Sequence, residues 1–189
     1  MVAKIGSIVI ATTVIVVMCG VSRAAAKSKH YKATCAGSYT GDPNLSYDGE
    51  VNIAVGNLSG YDNIEGNFVA QDYAEDNLIA EDNLRTCTAP DGTAGTNYPL
   101  VGDIQINTYT SADQMYMSFS TGNDCLSNTT PSFGGAQDGT VTGGTGKLAK
   151  ASGPIHETYV GVFVSLPASP GFGYIVTVQV TITGTVKTR

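Results

Sequence analysis

The residues best suited to chemistry form an acidic repeat in the middle of the chain. The letters AEDNL occur at 74–78 and again at 80–84, so four carboxylates and two asparagines lie close together. Carboxylate and amide oxygens are the ligands that Ca²⁺ prefers. An EF-hand loop is excluded, because the ligand spacing is wrong and no glycine lies between Gly66 and Gly92.

Three structures are compatible with this AEDNL doublet. Its six-residue period is even, so in a β-strand both copies place Ala, Asp and Leu on one face and Glu and Asn on the other. A calcium site requires Asp76 and Asp82 to meet across a turn, because along one strand they lie roughly 20 Å apart. A solenoid fragment would have too few units to bury a core. We interpret the doublet as surface strand or loop and predict no metal ligand, with calcium as the open alternative.

A glycine-rich segment, Gly143-Gly144-Thr145-Gly146-Lys147, has some features of a phosphate-binding loop. That loop requires a glycine five residues before Gly146, where Val141 stands, and Ser or Thr after the lysine, where Leu148 stands. The segment therefore predicts a tight reversal between strands, in which glycine supplies positive φ.

Catalytic side chains are scarce. The chain has two histidines, and His156 precedes Glu157 in a strand, where neighbouring side chains point to opposite faces. No G-x-S-x-G nucleophile motif is present. The sequence therefore predicts no catalytic residue and no cofactor, and the protein is expected not to be an enzyme.

The N-terminus has the pattern of a secretory signal peptide over residues 1–26. Lys4 precedes a mostly apolar run, and the small residues of SRAAA permit cleavage after Ala26. A membrane anchor is the alternative reading. We predict an exported protein, secreted or periplasmic, with one domain over residues 27–189.

The formal net charge limits the partners that the protein is expected to bind. Residues 1–26 hold two basic and no acidic residues, so cleavage changes the formal net charge from −6 to −8. This acidic chain is not expected to bind nucleic acid or, after cleavage, membranes.

Export permits disulfides among Cys35, Cys87 and Cys125. Cys87 and Cys125 lie in turn-rich contexts and Cys35 in a strand, so we predict a Cys87–Cys125 bond, with the other pairings open.

Period-2 alternation recurs along the chain and predicts an all-β fold. Met115, Met117 and Phe119 share one face of a strand, and Tyr174, Val176 and Val178 share one face of another. Short strands separated by glycine-rich turns are typical of a sandwich or a barrel, and a closed barrel removes exposed strand edges.

One passage, DGTVTGGTGKLAKASGPIHETYVGVFV at 138–164, resembles the barrel family that allene oxide cyclases share with plant dirigent proteins. That family often carries a GGTG turn followed by a long strand. The chain is also similar to exported bacterial proteins that combine segments like TCTAPDGT, MSFSTGNDCL, GGTG and TITGTV. The matching residues of the turn motif are Gly143, Gly144, Thr145, Gly146, Lys147, Leu148, Ala151 and Gly153.

This resemblance implies a single closed, eight-stranded antiparallel β-barrel whose lumen either is filled or holds one small apolar ligand. We expect Met115, Met117, Phe119, Tyr174 and Val178 to line the lumen or core. The preferred function is a non-catalytic binding or structural module outside the cytoplasm, whose partner is a small apolar ligand or a protein. The alternative is an isomerase or coupling guide acting on a small apolar substrate in the lumen.

Overall fold

The computed structural model describes residues 27–42, 52–76, 85–165 and 174–188 of the chain. The predicted signal peptide, residues 1–26, lies outside these described residues. No helix in the described ranges has the length and apolar character needed to cross a membrane. The strands are β1 (Lys27–Asp42), β2 (Asn52–Asp62), β3 (Gly66–Asp76), β4 (Arg85–Thr88), β5 (Ala94–Tyr109), β6 (Gln114–Ser127), β7 (Ser132–Gly144), β8 (Gly153–Ser165) and β9 (Tyr174–Thr188).

Eight of these strands form a closed antiparallel barrel, which confirms the fold predicted from the sequence. Each strand pairs with its neighbour in the order β1, β2, β3, β5, β6, β7, β8 and β9, and β9 pairs with β1 to complete the ring. The closure between β3 and β5 runs from Phe68 opposite Tyr109 to Asp76 opposite Leu100. Strand β4 lies outside the ring and pairs with the first residues of β5.

Side chains alternate between the interior and the solvent as the period-2 pattern predicts. Met115, Met117 and Phe119 of β6 are all buried. In β5, however, the polar residues face inward: Gln105 and Asn107 are buried, while Ile104 is 54% exposed. The alternating pattern therefore predicts the strand correctly. In β5, however, the buried face cannot be identified from the positions of the apolar residues.

One end of the barrel, which we call the closed end, is sealed by the GGTG segment. Gly143 and Gly146 adopt positive φ, 151° and 51°, which confirms the tight reversal expected there. A short 3₁₀ helix, Gly146–Leu148, follows and inserts the buried side chain of Leu148 into the barrel. Asp62 lies at the same end and accepts hydrogen bonds from the hydroxyls of Tyr31 and Tyr109.

The opposite end, where residues 128–131 join β6 to β7, is the mouth of the barrel. The turn between β4 and β5 is tied to this rim, because Asp91 accepts hydrogen bonds from the hydroxyls of Thr93, at 2.7 Å, and Thr130, at 2.5 Å. Strand β4 is thus held against the mouth although it is not part of the ring.

A disulfide between Cys87 of β4 and Cys125 of β6 fastens this rim and confirms the predicted pairing. Cys35 is a buried free cysteine. Strand β5 runs between the bonded strands, yet the two Cα atoms are only 6.0 Å apart. In a flat sheet, strands two places apart would be separated by roughly 9–10 Å. Gly95 permits the close approach, since a Cβ there would lie 2.9 Å from Cys125 Sγ.

The AEDNL doublet lies mostly outside the described residues. Strand β3 ends at Asp76, opposite Leu100, and β4 begins at Arg85, opposite Asn97 of the same strand. Residues 77–84 therefore connect two segments that follow one another along the same edge of β5. The predicted surface strand and its calcium alternative both fall on this connection and stay predictions.

We expect removal of the disulfide to lower stability without changing the fold. The Cys87→Ala/Cys125→Ala variant should lose about 3–4 kcal/mol of unfolding free energy, because the bond closes a loop with a sequence separation of 38. Urea unfolding measures this loss. Dithiothreitol should destabilise the wild type by a similar amount and leave the stability of the variant unchanged. Equal urea midpoints for all samples would contradict a stabilising role of the disulfide.

A candidate ligand site in the barrel lumen

The half of the barrel nearest the mouth encloses a cavity of about 720 Å³. Small-molecule sites typically have volumes of about 300–1,000 Å³. All eight strands of the ring contribute to its lining, and residues 128–131 border it at the surface. The closed half of the barrel, in contrast, is filled by large side chains such as Tyr31, Phe68 and Phe119.

Glycines in the wall explain why aromatic residues do not fill the mouth half. A Cβ at Gly56 would lie 2.5 Å from the ring of Tyr39, and one at Gly161 would lie 2.5 Å from the ring of Phe133. A Cβ at Gly41 would likewise meet the ring of Tyr174 at 2.2 Å. Each ring thus lies over a glycine of a neighbouring strand, against the wall, and the described side chains leave the centre of the lumen open.

Four aromatic rings form a continuous wall on β7, β8 and β9. Phe133 lies 6.4 Å from Tyr159 and 5.1 Å from Phe163, and Phe163 lies 5.6 Å from Tyr174, measured between ring centroids. These tilted and edge-on contacts are the favourable geometries for aromatic pairs. All four rings line the cavity, so they present one broad aromatic surface to its contents.

Carboxyl groups form the polar floor of the cavity. Gln137 holds two of them together: its Nε2 donates to Asp103 Oδ2 at 2.5 Å and to Glu157 Oε1 at 2.9 Å. A third carboxyl, that of Asp124, accepts a hydrogen bond from the Tyr159 hydroxyl. Asp103, Asp124, Gln137 and Glu157 are all buried and all line the cavity.

A fourth carboxyl of the floor, that of Asp72, pairs with Asp103. The hydroxyl of Tyr39 donates to Asp72 Oδ2 at 2.6 Å. If both carboxyls were ionised, Asp72 Oδ1 and Asp103 Oδ1 would have no hydrogen-bond donor. One shared proton satisfies both oxygens, and like charges in close contact favour its retention. Burial and the neighbouring Asp72 raise the pKa of Asp103 well above its usual range.

Burial also raises the pKa values of the other floor carboxyls. The pKa of Glu157 rises to about 8, chiefly through burial and secondarily through the charge of Asp103. Burial raises the pKa of Asp124 and that of Asp72 to about 6. Glu157 is therefore mostly a neutral carboxylic acid at pH 7. Its Oε2 atom is buried and has no hydrogen-bond partner among the described residues.

The described lining of the cavity contains no Lys, Arg or His. His156 and Glu157 point to opposite faces, as the sequence predicted, and the outward-facing His156 pairs with the exposed Asp138 at 2.7 Å. No three His, Cys, Asp or Glu side chains of the described ranges are placed to hold a metal ion. Any negative charge that the floor carboxyls carry is therefore not balanced by a Lys, Arg or His of the described cavity lining.

The residues expected to line the lumen divide between the two halves of the barrel. Tyr174 and Val178 line the cavity. Met115, Met117 and Phe119 also face the interior, but they belong to the packed core of the closed half.

Sequence reasoning missed the floor itself. Its four acidic residues lie on four different strands and are separated from one another by at least 21 residues along the chain. The alternation of Asp103, Gln105 and Asn107 in β5 was a usable signal, because three polar residues at period 2 imply one polar face. That signal does not tell which face is inside.

Comparison of the chain with models of known protein families, with curated proteins and with solved structures found no match. The eight-stranded antiparallel ring agrees with the fold that the resemblance implied. Membership of the allene oxide cyclase-like family stays a prediction.

We expect stability to fall as the pH rises from about 4.5 to about 8. Between the ordinary and the raised pKa of Glu157, the folded state binds a proton that the unfolded state releases, so raising the pH favours unfolding. A shift of this size corresponds to several kcal/mol, at about 1.4 kcal/mol per pH unit. Urea unfolding at pH 5, 6.5 and 8 measures the slope.

The Glu157→Gln variant should show a flatter profile, because Gln keeps the acceptor for Gln137 and cannot ionise. Glu75→Gln removes one charge from an exposed position of β3 and should retain the wild-type slope. Parallel profiles for the wild type and Glu157→Gln would show that Glu157 does not hold a proton in the folded state.

Proposed function

We propose that the protein is an exported binding module that holds one small molecule with an apolar body in its barrel lumen. The observation that carries this proposal is the cavity of about 720 Å³ with an aromatic wall and a polar floor. A mostly apolar pocket with a few convergent polar groups is the usual form of a small-molecule site.

The two parts of the cavity would have different roles in binding. The wall of Phe133, Tyr159, Phe163 and Tyr174 supplies contact area for a flat or apolar group. The floor supplies hydrogen-bonding groups held in place by Gln137, and these orient the ligand. The glycines behind the rings keep the space between wall and floor free.

Two observations support action outside the cytoplasm. Residues 1–26 have the charge, apolar core and small-residue end of a signal peptide. The Cys87–Cys125 disulfide fits an oxidising compartment.

A second candidate function, an isomerase or coupling guide in the lumen, is favoured by one feature. Glu157 is a buried carboxylic acid with a raised pKa that lines the cavity, and such groups serve as general acids in enzymes. A ligand recovered unchanged after prolonged incubation supports the binding module. Conversion of the ligand by the wild type, lost in Glu157→Gln, would support the enzyme instead.

Binding of a neutral apolar dye, such as Nile red, tests the lumen site. Its fluorescence should rise and shift to the blue on binding, because the aromatic wall replaces water around it. Ala74 lines the cavity on β3, so the Ala74→Phe variant should fill the lumen and weaken binding by about tenfold or more, since lost apolar contact of one ring is worth over 1.4 kcal/mol.

Val69→Phe is the matched control, because Val69 lies on the same strand and is 60% exposed on the outer surface. It should bind the dye as the wild type does. Equal loss in both variants, or no binding to the wild type, would contradict a ligand site in the lumen.

A further inference from the structure

We propose that the polar end of the lumen ligand is a protonated amine, which binds the carboxyl floor while its apolar body lies on the aromatic wall. This inference rests on the proposed function and specifies the chemical class of its ligand.

The lumen contains acidic groups and no described basic side chain. The groups around Glu157 are Asp103 of β5, Asp124 of β6 and Asp72 of β3, and none of these elements presents a basic side chain to the cavity. Burying a charge is costly unless an opposite charge accompanies it. A ligand cation would supply that missing charge. The other groups near Glu157 are Cys35, Tyr39, Tyr159 and Gln137, and β9 contributes only apolar lining near the floor, at Val176, Val178 and Val180.

One carboxyl oxygen of Glu157 has no hydrogen-bond partner among the described residues. Gln137 occupies Oε1, whereas Oε2 has no partner among the described residues although the residue is only 2% exposed. Buried polar atoms in native proteins are nearly always hydrogen-bonded. Glu157 lines the cavity, so once its carboxyl is ionised, a ligand N–H held there would supply the donor that Oε2 lacks.

Aromatic rings of the wall adjoin the carboxyl floor. Tyr159 and Phe133 lie beside each other on β8 and β7, and Tyr159 also donates to the floor carboxylate of Asp124. Aromatic faces attract organic cations, most strongly where water is excluded. The combination of carboxyls with adjoining rings therefore favours an ammonium group over a neutral hydroxyl.

Binding such a cation changes the proton content of the site. The amine enters as R–NH₃⁺, and the neutral carboxylic acid of Glu157 gives its proton to the solvent and becomes the carboxylate of the ion pair. One proton is released and no covalent bond of the ligand changes. An alcohol of the same shape makes hydrogen bonds to the neutral acid and releases no proton.

A metal ion fits the floor less well than an organic cation. Calcium requires six to eight oxygen ligands in direct contact, and no three acidic, His or Cys side chains of the described residues are placed for that. An ammonium group requires only three acceptors, each at hydrogen-bond distance.

Isothermal titration calorimetry with 4-phenylbutylamine and its isosteric alcohol, 4-phenyl-1-butanol, tests the inference. At pH 8 the amine should bind at least about tenfold tighter than the alcohol, as expected for a charge-assisted hydrogen bond. At pH 5.5 the difference should shrink, because protons then compete for the floor carboxyls while the amine stays charged. At pH 7, buffers of different ionisation enthalpy should reveal release of about one proton for the amine and none for the alcohol.

Two variants separate this role from a structural one. Glu157→Gln should lose most of the amine preference and the proton release, because Gln cannot ionise. Asp138→Asn removes one carboxylate from the outer face of β7, where its side chain is 76% exposed, and should behave as the wild type.

Equal affinities for amine and alcohol, with Nile red still bound, would overturn the amine assignment and leave the lumen site standing. Failure of all three probes to bind would overturn the lumen site as well. Displacement of the amine by millimolar calcium, but not by sodium chloride of equal ionic strength, would assign the floor to a metal ion and contradict the proposal.

Discussion

The lumen of this barrel depends on one constraint: its carboxyl groups are removed from water, and no Lys, Arg or His of the described residues lines the cavity beside them. Burial disfavours their ionised forms, and Asp103 and Glu157 therefore retain protons to unusually high pH. Gln137 donates to both groups and fixes their positions. The floor is thus a set of proton-holding acids, whose charge state depends on what enters the cavity.

The same barrel solves two packing problems at its two ends. At the closed end, the side chains of Leu148, Tyr31 and Tyr109 fill the interior, and both tyrosines donate hydrogen bonds to Asp62. This packed core stabilises the ring. At the mouth, rings lie over glycines such as Gly56 and Gly161, and the described side chains leave a cavity between them. A filled half thus supports an open half, and the disulfide fastens the rim around the opening.

The fold could be predicted from local patterns, because strand alternation, turn glycines and cysteine context each depend on neighbouring residues. Local patterns predicted three features: the buried face of Met115, Met117 and Phe119, the reversal at Gly146 and the Cys87–Cys125 pairing. The site could not be predicted in this way, because Asp103 and Glu157 become neighbours only when the ring closes. The AEDNL doublet drew attention through its density of carboxylates, whereas the acids that line the cavity are isolated in sequence.

The central claim is that Glu157 keeps its proton at neutral pH in the empty lumen. Carbon-detected NMR of the glutamate side-chain carboxyl carbons, assigned by comparison with Glu157→Gln, measures this directly across pH 4 to 10. The account predicts that the Glu157 carboxyl carbon titrates with a midpoint near the raised pKa of about 8. A midpoint near the ordinary value of 4.5 would contradict it, because the floor would then be fully charged without any ligand.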